Sequence, residues 1–582
     1  MRVAPDRREG VVMPKESKVE QAKRQGRHLR GTISETLVAE VTHFTGDDLT
    51  LLKFHGTYQQ DDRDLRRSRD EGAEKAFSFM VRVALPAGTL DAGQYLTLDE
   101  VADRYANGTL RVTTRQGFQF HGVLKHELKE TIAEVNRRLM TTLAACGDVS
   151  RNVMGCPAPV DDPAHAAVRA AARGIAEQLR PASRAYHEIW LDGEKQVSTE
   201  EEPFYGDVYL PRKFKTGVAL STDNCVDIWS QDVGLVAIVD GRDVRGFNLL
   251  VGGGLGMTHH KADTSARLAQ PLGFVETEHA VEAVRTVAAI FRDYGNRADR
   301  RHARLKYLVA EWGMEKLRAE FESRVGVRLA PAVELPALPY HDHLGRHRQP
   351  DGQWFYGVFV QSGRITDTDG HRLKTALHEI VTRFGPGVRL TGQQNVLLTD
   401  LDDVAVKATE TILRDHGVTP PQELSATRRF SMACPALPTC GLAVAESERA
   451  MPEILDQIEG ELTALGLRDE PLTIRMTGCP NGCARPYTAD IAFVGRSLGL
   501  YNIYVGGGLG GDRVVDLFRA DVRMGDLLDA LRPLLLRWAS ERWPGEGLSD
   551  FYQRLIGRAA RRTFITGREE PTADLVTLTV GS

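Results

Sequence analysis

Apolar and polar residues alternate along this chain in short bursts, and the bursts form two matching series. The first opens at Phe77 (FSFMVRVALPAG), where period-two alternation ends in a proline and a glycine, predicting a strand and then a turn. Strand-like Phe79–Val83 (FMVRV) is matched by Tyr356–Val360 (YGVFV), and Leu110–Gln116 (LRVTTRQ) by Val388–Gln394 (VRLTGQQ). Helical patterns follow at Glu127–Leu143 and Val404–Asp415. Phe247–Gly256 (FNLLVGGGLG) then matches Tyr501–Gly510 (YNIYVGGGLG), each behind a β-rich segment that starts at Asp232 or Asp490. Such an order predicts internal duplication: a mixed α+β (α/β) fold whose halves are related by a pseudo-two-fold axis. A cofactor between the halves would touch both copies, as ligands at domain interfaces do.

Two stretches break the pattern. Residues 1–74 are polar, with a dense charged run from Gln59 to Glu74, and predict an arm wrapped on the body. Pro331–Gly352 carries four prolines and three histidines and predicts a solvated linker, so His341, Asp342, His343 and His347 are read as surface residues rather than metal ligands.

Composition narrows the class. A chain of 582 residues, 42% hydrophobic and 26% charged, is globular and too long for one core. Its net charge of −5 argues against nucleic-acid or membrane-surface partners. No apolar run approaches the roughly 18 residues of a membrane span. The N-terminal segment lacks the apolar core of a secretory signal, and Asp6, Glu9, Glu16 and Glu20 set it apart from transit peptides. A cytoplasmic location is expected, with Met1 or Met13 as the start.

Four of the seven cysteines fall in tight pairs, Cys434-x5-Cys440 (ACPALPTCGLA) and Cys479-x3-Cys483 (TGCPNGCARPY). Four thiolates in Pro/Gly-rich loops suit an iron–sulfur cluster. A four-cysteine zinc site or unligated thiols remain open on spacing alone, although five intervening residues are unusual for zinc. In the first half, Arg115, Gln119 and His121 (TTRQGFQFHG) alternate by twos and would share one strand face. Lys213 and Lys215 (YLPRKFK) flank Phe214 in the same way, and Arg82, Arg151 and Arg212 add charge. Cations so spaced suit a polyanion. Gly506, Gly508 and Gly511 spell a dinucleotide fingerprint, but the twin copy has Met257 at the third place, and tight cofactor-facing turns are the expectation. Cys146 and Cys225 are read as buried fillers. Cys156, five residues after Arg151, is read as inert or as crosslinked to a tyrosine such as Tyr58.

With these cysteine pairs, the segments TGCPNGCARPYTAD, YQQDDRDLR, TRQGFQFHG, YLPRKFK and GGGLGMTH resemble the sulfite/nitrite reductase haemoprotein family, over about residues 17–557. The resemblance implies a [4Fe–4S] cluster on Cys434, Cys440, Cys479 and Cys483, with Cys483 also bridging to sirohaem iron. It implies that Arg115, Gln119, His121 and Asn481 hold the sirohaem, and that Arg82, Arg151, Lys213 and Lys215 bind the substrate oxyanion and serve its protonation. The implied reaction is six-electron reduction of sulfite, or of nitrite in the sister branch, with electrons from a ferredoxin or a flavoprotein. A three-domain architecture is expected: an arm at 1–74, a central ferredoxin-like domain from 75–146 with 350–425, α/β domains at 147–330 and 426–582, and a linker at 331–349.

Overall fold

A computed structural model describes residues 16–67, 74–160, 162–183, 202–241 and 243–557, with short strands at 190–191, 194–195 and 565–566. The first repeat supplies β1 (Thr57–Asp61), β2 (Phe77–Val83), β3 (Thr89–Leu90), β4 (Leu110–Val112), β5 (Phe118–Val123), β6 (Met154–Gly155), β7 (Thr216–Leu220), β8 (Val233–Asp240), β9 (Asp243–Val251) and β10 (Gln270–Glu276). The second supplies β11 (Gly345–Arg348), β12 (Trp354–Val358), β13 (Arg364–Ile365), β14 (Gly387–Leu390), β15 (Val396–Leu401), β16 (Met432–Ala433), β17 (Ile474–Thr477), β18 (Ile491–Ser497), β19 (Leu500–Val505) and β20 (Asp516–Arg523).

Two antiparallel sheets sit at the centre, in the orders β1-β2-β5-β4-β13 and β11-β12-β15-β14-β3. Each takes its last strand from the other repeat: Arg364 pairs with Arg111, and Thr89 with Arg389. The halves are therefore interlocked, and one apolar core containing Phe79, Phe118, Phe120, Val358, Leu377 and Leu398 lies beneath both. The crossing segments repeat each other in detail. Ala87 and Ser362 have φ of 53° and 52°, and each precedes a glycine, Gly88 or Gly363. A Cβ on Gly88 would lie 2.5 Å from the Leu390 carbonyl oxygen, and one on Gly363 would lie 2.3 Å from that of Val112. Only glycine tolerates both the left-handed backbone and that approach.

Two outer sheets, β10-β9-β8-β7-β6 and β16-β17-β18-β19-β20, flank this centre. In each, the first three strands in chain order run parallel and the rest antiparallel. The glycine turns correspond as well: Gly252 N–H donates to the Asp232 carbonyl at 2.9 Å, and Gly506 N–H to that of Asp490 at 3.2 Å. Helices Pro163–Gln178 and Ala280–Tyr294 pack on the first outer sheet, and Met451–Ala464 and Leu527–Glu541 on the second. Proline follows an Asp162 cap that accepts the His165 N–H at 2.7 Å, which fixes where helix Pro163–Gln178 starts.

Several local expectations change. The helix drawn over Glu127–Leu143 stops at Arg137, because Leu139 turns left-handed and Ala84 bridges Thr141. The proline-rich segment after Pro331 is not a solvated tether. Leu338, Tyr340 and Leu344 are buried and Asp342 pairs with Arg429 at 2.6 Å, whereas His341 and His347 are exposed as expected, His347 stacking on Phe355 in β11. Within the polar N-terminal stretch, buried Lys23 donates to the Leu210 carbonyl at 2.9 Å and pairs with Glu20.

Candidate cofactor and oxyanion site

The cysteine pairs come together where the second outer sheet meets the central pair. Cys434 follows β16, Cys440 lies in the loop beyond it, and Cys479 and Cys483 follow β17. Cys434 and Cys479 are buried, Cys440 is half-buried and Cys483 is exposed. Backbone N–H groups point at the sulfurs: Gly478 to Cys434 at 3.4 Å, Leu442 and Ala443 to Cys440, and Asn481 to Cys479. Gly478 must be glycine, since a Cβ there would lie 2.5 Å from the Ala445 carbonyl oxygen. Burial and then the charge of Cys483 push the Cys434 and Cys479 thiols up, Cys479 to about 12. Four thiolates in this pocket need multivalent positive charge among them, which a metal cluster supplies.

Facing Cys483 is a crowd of cations. Burial, then Arg212, Arg304 and Arg151, brings Lys213 down to about 7, against the opposing pull of Cys483. Lys215 falls well below its ordinary range through burial, then Lys213, Arg115 and Arg304. Both lysines are half-buried, while Phe214 between them is wholly buried. Arg82 on β2 donates to the Cys146 sulfur at 3.0 Å, and Gln119, with its amide oxygen turned towards Arg82, accepts at 2.6 and 3.2 Å. Arg151 donates to the Gly147 carbonyl at 2.8 Å.

Not every expected relationship holds. Arg115 is not on the strand with Gln119 and His121. It sits in the turn where Gln116 has a φ of 53°, and reaches the first outer sheet, donating to Gln231 at 2.7 Å and to the Thr216 carbonyl at 3.0 Å. Burial brings it down to about 9. Tyr58 lies beside Cys146, not Cys156, so Cys146 belongs to the cation pocket rather than to the filler of the core. Asn481 stays in the cysteine loop, and its carbonyl would lie 2.8 Å from a Cβ at Gly256, which brings the first repeat's glycine turn against the thiols.

Sequence reasoning missed Arg304, Lys306 and Arg485. Arg304 forms a buried fork with Asp232 at 2.8 Å. Lys306 holds the glycine turn through the carbonyls of Gly254 at 3.0 Å and Gly256 at 2.8 Å. The signal available for Arg485 was its position two residues after Cys483.

The residues present fit both groups that the resemblance implies. Both ring nitrogens of buried His121 lack a hydrogen-bond partner, as do Arg115 Nε and the Asn152 and Thr477 side-chain oxygens. Arg364, Arg111 and Arg82, added to burial, push the His121 imidazole well down. Orphaned nitrogens beside clustered cations suit an anionic partner, and the carboxylates of a sirohaem fit that chemistry. The glycine turns are filled by packing instead: a Cβ on Gly253 would lie 2.2 Å from the Gln231 carbonyl oxygen, and one on Gly507 would lie 2.3 Å from the Thr488 carbonyl carbon.

Comparison with known proteins agrees with this geometry. The family described as nitrite and sulphite reductase 4Fe-4S domain matches residues 171–329 and 425–539, and the nitrite/sulfite reductase ferredoxin-like half domain matches 72–138 and 346–416. The chain is 47% identical to sulfite reductase [ferredoxin] of Synechococcus elongatus, over 94% of this chain and 90% of that protein. It is 45% identical to the sulfite reductase [NADPH] hemoprotein beta-component of Staphylococcus saprophyticus, over 92% and 95%. The solved structure of the Mycobacterium tuberculosis NirA protein superposes with a TM-score of 0.76 at 25% identity, covering 92% of this chain and 96% of that one. With four cysteines set against a buried field of cations across a duplicated fold, the chain belongs to the nitrite and sulfite reductase 4Fe-4S family.

Proposed function

We propose that the protein reduces sulfite to sulfide, with Cys434, Cys440, Cys479 and Cys483 holding the cluster and Cys483 its sulfur nearest the haem. One observation carries this reading: Cys483, exposed where Cys434 and Cys479 are buried, is also the thiol whose charge reaches Lys213 and Lys215. Sirohaem, when bound, supplies an iron that takes sulfur as a ligand and receives electrons through the cluster.

The chain's own residues do the rest. Arg115, Gln119, His121 and Asn481 would hold the sirohaem through its carboxylates. Arg82, Arg151, Lys213 and Lys215 bind the oxyanion and hold its oxygens against developing negative charge. Six electrons and six protons turn bisulfite into hydrosulfide and three waters, so each departing oxygen must gain protons. Lys213, brought to about 7, exchanges a proton near neutral pH, and a bound anion raises it again. Electrons come from a partner protein, a ferredoxin or a flavoprotein; a sulfite reductase [ferredoxin] is among the chain's relatives. No helix among the described residues is long and apolar enough to cross a membrane.

Anaerobic turnover with a reduced viologen dye, sulfite and nitrite in parallel, tests the reading. A higher kcat/KM for sulfite with sulfide as product supports it. Preferred formation of ammonia from nitrite would move the substrate to the sister branch.

A further inference from the structure

Cys156 and Cys225 occupy the first repeat's copies of two cluster positions. Cys156 follows β6 in RNVMGCPA, as Cys434 follows β16 in RFSMACPA. Cys225 stands seven residues before Asp232, as Cys483 stands seven before Asp490. The two aspartates are the equivalent anchors whose carbonyls accept from Gly252 and Gly506. The first repeat has no counterpart of the other two cysteines. Asp223 and His343 stand beside Cys156 and Cys225 instead, and one ligand atom from each of the four lies within 4.8 Å of all the others.

We propose that Cys156, Asp223, Cys225 and His343 form a structural site for a zinc ion. Two thiolates, one imidazole and one carboxylate are a tetrahedral set for this borderline-soft cation. The atoms are already aimed. Asp223 Oδ1 accepts the backbone N–H of Cys225 at 3.0 Å and of His341 at 3.3 Å, leaving Oδ2 to face Cys156 Sγ at 3.2 Å and His343 Nε2 at 3.0 Å. Orienting a carboxylate through its other oxygen is how outer-shell contacts prepare a ligand. His165, steadied by Asp162 at 2.9 Å, also hydrogen-bonds to the Cys156 sulfur. A nucleophilic role for this Cys, His and Asp group is unsuited to its setting, because Cys156 is 1% and Cys225 0% exposed and no substrate reaches them. The ion would join three separate stretches of chain: the end of β6, the loop after β7 and the segment that links the repeats. Two of its ligands hold the positions that Cys434 and Cys483 hold in the second repeat, and its presence does not depend on what the cluster reduces.

The test is metal analysis of the holoenzyme purified without chelators from zinc-supplied cells, with zinc and iron measured separately. One zinc per chain is expected beside the iron. Zinc-edge X-ray absorption should show two sulfurs at about 2.3 Å and two nitrogen or oxygen ligands at about 2.0–2.1 Å. Cys225→Ala and His343→Ala should lose the zinc and keep the iron. Wild-type protein without zinc, zinc bound by four sulfurs, or zinc retained in both variants overturns the site. The wild-type measurements decide the matter even if a variant fails to fold.

Discussion

Asp227 of the first repeat is clamped between Arg475 and Arg485 of the second, with Arg475 Nη2 at 3.1 Å and all three side chains buried. Arg485, two residues past Cys483, also donates to the Thr114 and Gly392 carbonyls, each at 2.7 Å. Those carbonyls belong to equivalent turns of the two central sheets, so one side chain fixes the cysteine loop against both repeats. Burial alone would push the Asp227 carboxyl up; the two arginines outweigh it and hold the group below the usual carboxylate range.

Removing that charge should be costly. Asp227→Asn keeps the shape and leaves two buried guanidiniums without a counter-charge, so stability should fall by about 3–5 kcal/mol. Denaturant unfolding checks this, and a loss under about 1 kcal/mol would refute the clamp.

The cluster ligands should separate from the rest by cofactor content. Cys434→Ser should abolish acid-labile sulfide and the bound haem's visible absorption in the purified protein. Full retention of both would remove Cys434 from the ligand set.

The cation pocket should affect turnover and spare the fold. Lys215→Met should lower kcat for sulfite at least about 100-fold, with iron content and far-UV dichroism unchanged. A variant with near wild-type kcat would take Lys215 out of proton delivery.

Acid should weaken the packing of the N-terminal segment through His55, whose Nε2 meets the Leu29 carbonyl at 2.7 Å. Burial brings its imidazole from 6.5 to about 4. The folded state thus holds it neutral, and its contribution is whole above pH 6.5 and disappears as the pH falls towards 4. The loss is about 3 kcal/mol. Stability measured from pH 7 to 4 should fall less steeply in His55→Asn than in wild type, and equal slopes would count against it.

Gly507 should not accept even one methyl group. Its Cβ would lie 2.4 Å from the Thr488 carbonyl oxygen, so Gly507→Ala should cost about 1–3 kcal/mol, read as a lowered Tm. An unchanged Tm would show that the turn has room.

Much of this was legible in one dimension because duplication writes the same local physics twice. Alternation marked the strands of both repeats, and cysteine spacing marked the thiol loops. Arg115 was misplaced because a period-two count runs straight through a left-handed turn at Gln116, which reverses the chain without changing the pattern. The segment after Pro331 looked solvated because its polar residues find partners far away in sequence, as Asp342 does in Arg429.

By itself the sequence determined the repeat, the soft-ligand set and the excess of cations, since each depends on residue type and on spacing along the chain. Tertiary structure alone decided which cations face Cys483, that each central sheet borrows a strand from the other repeat, and that Cys156, Asp223, Cys225 and His343 converge. Those are long-range relationships. They depend on how two folded halves close against each other, and no local propensity encodes the distance between residues 156 and 343.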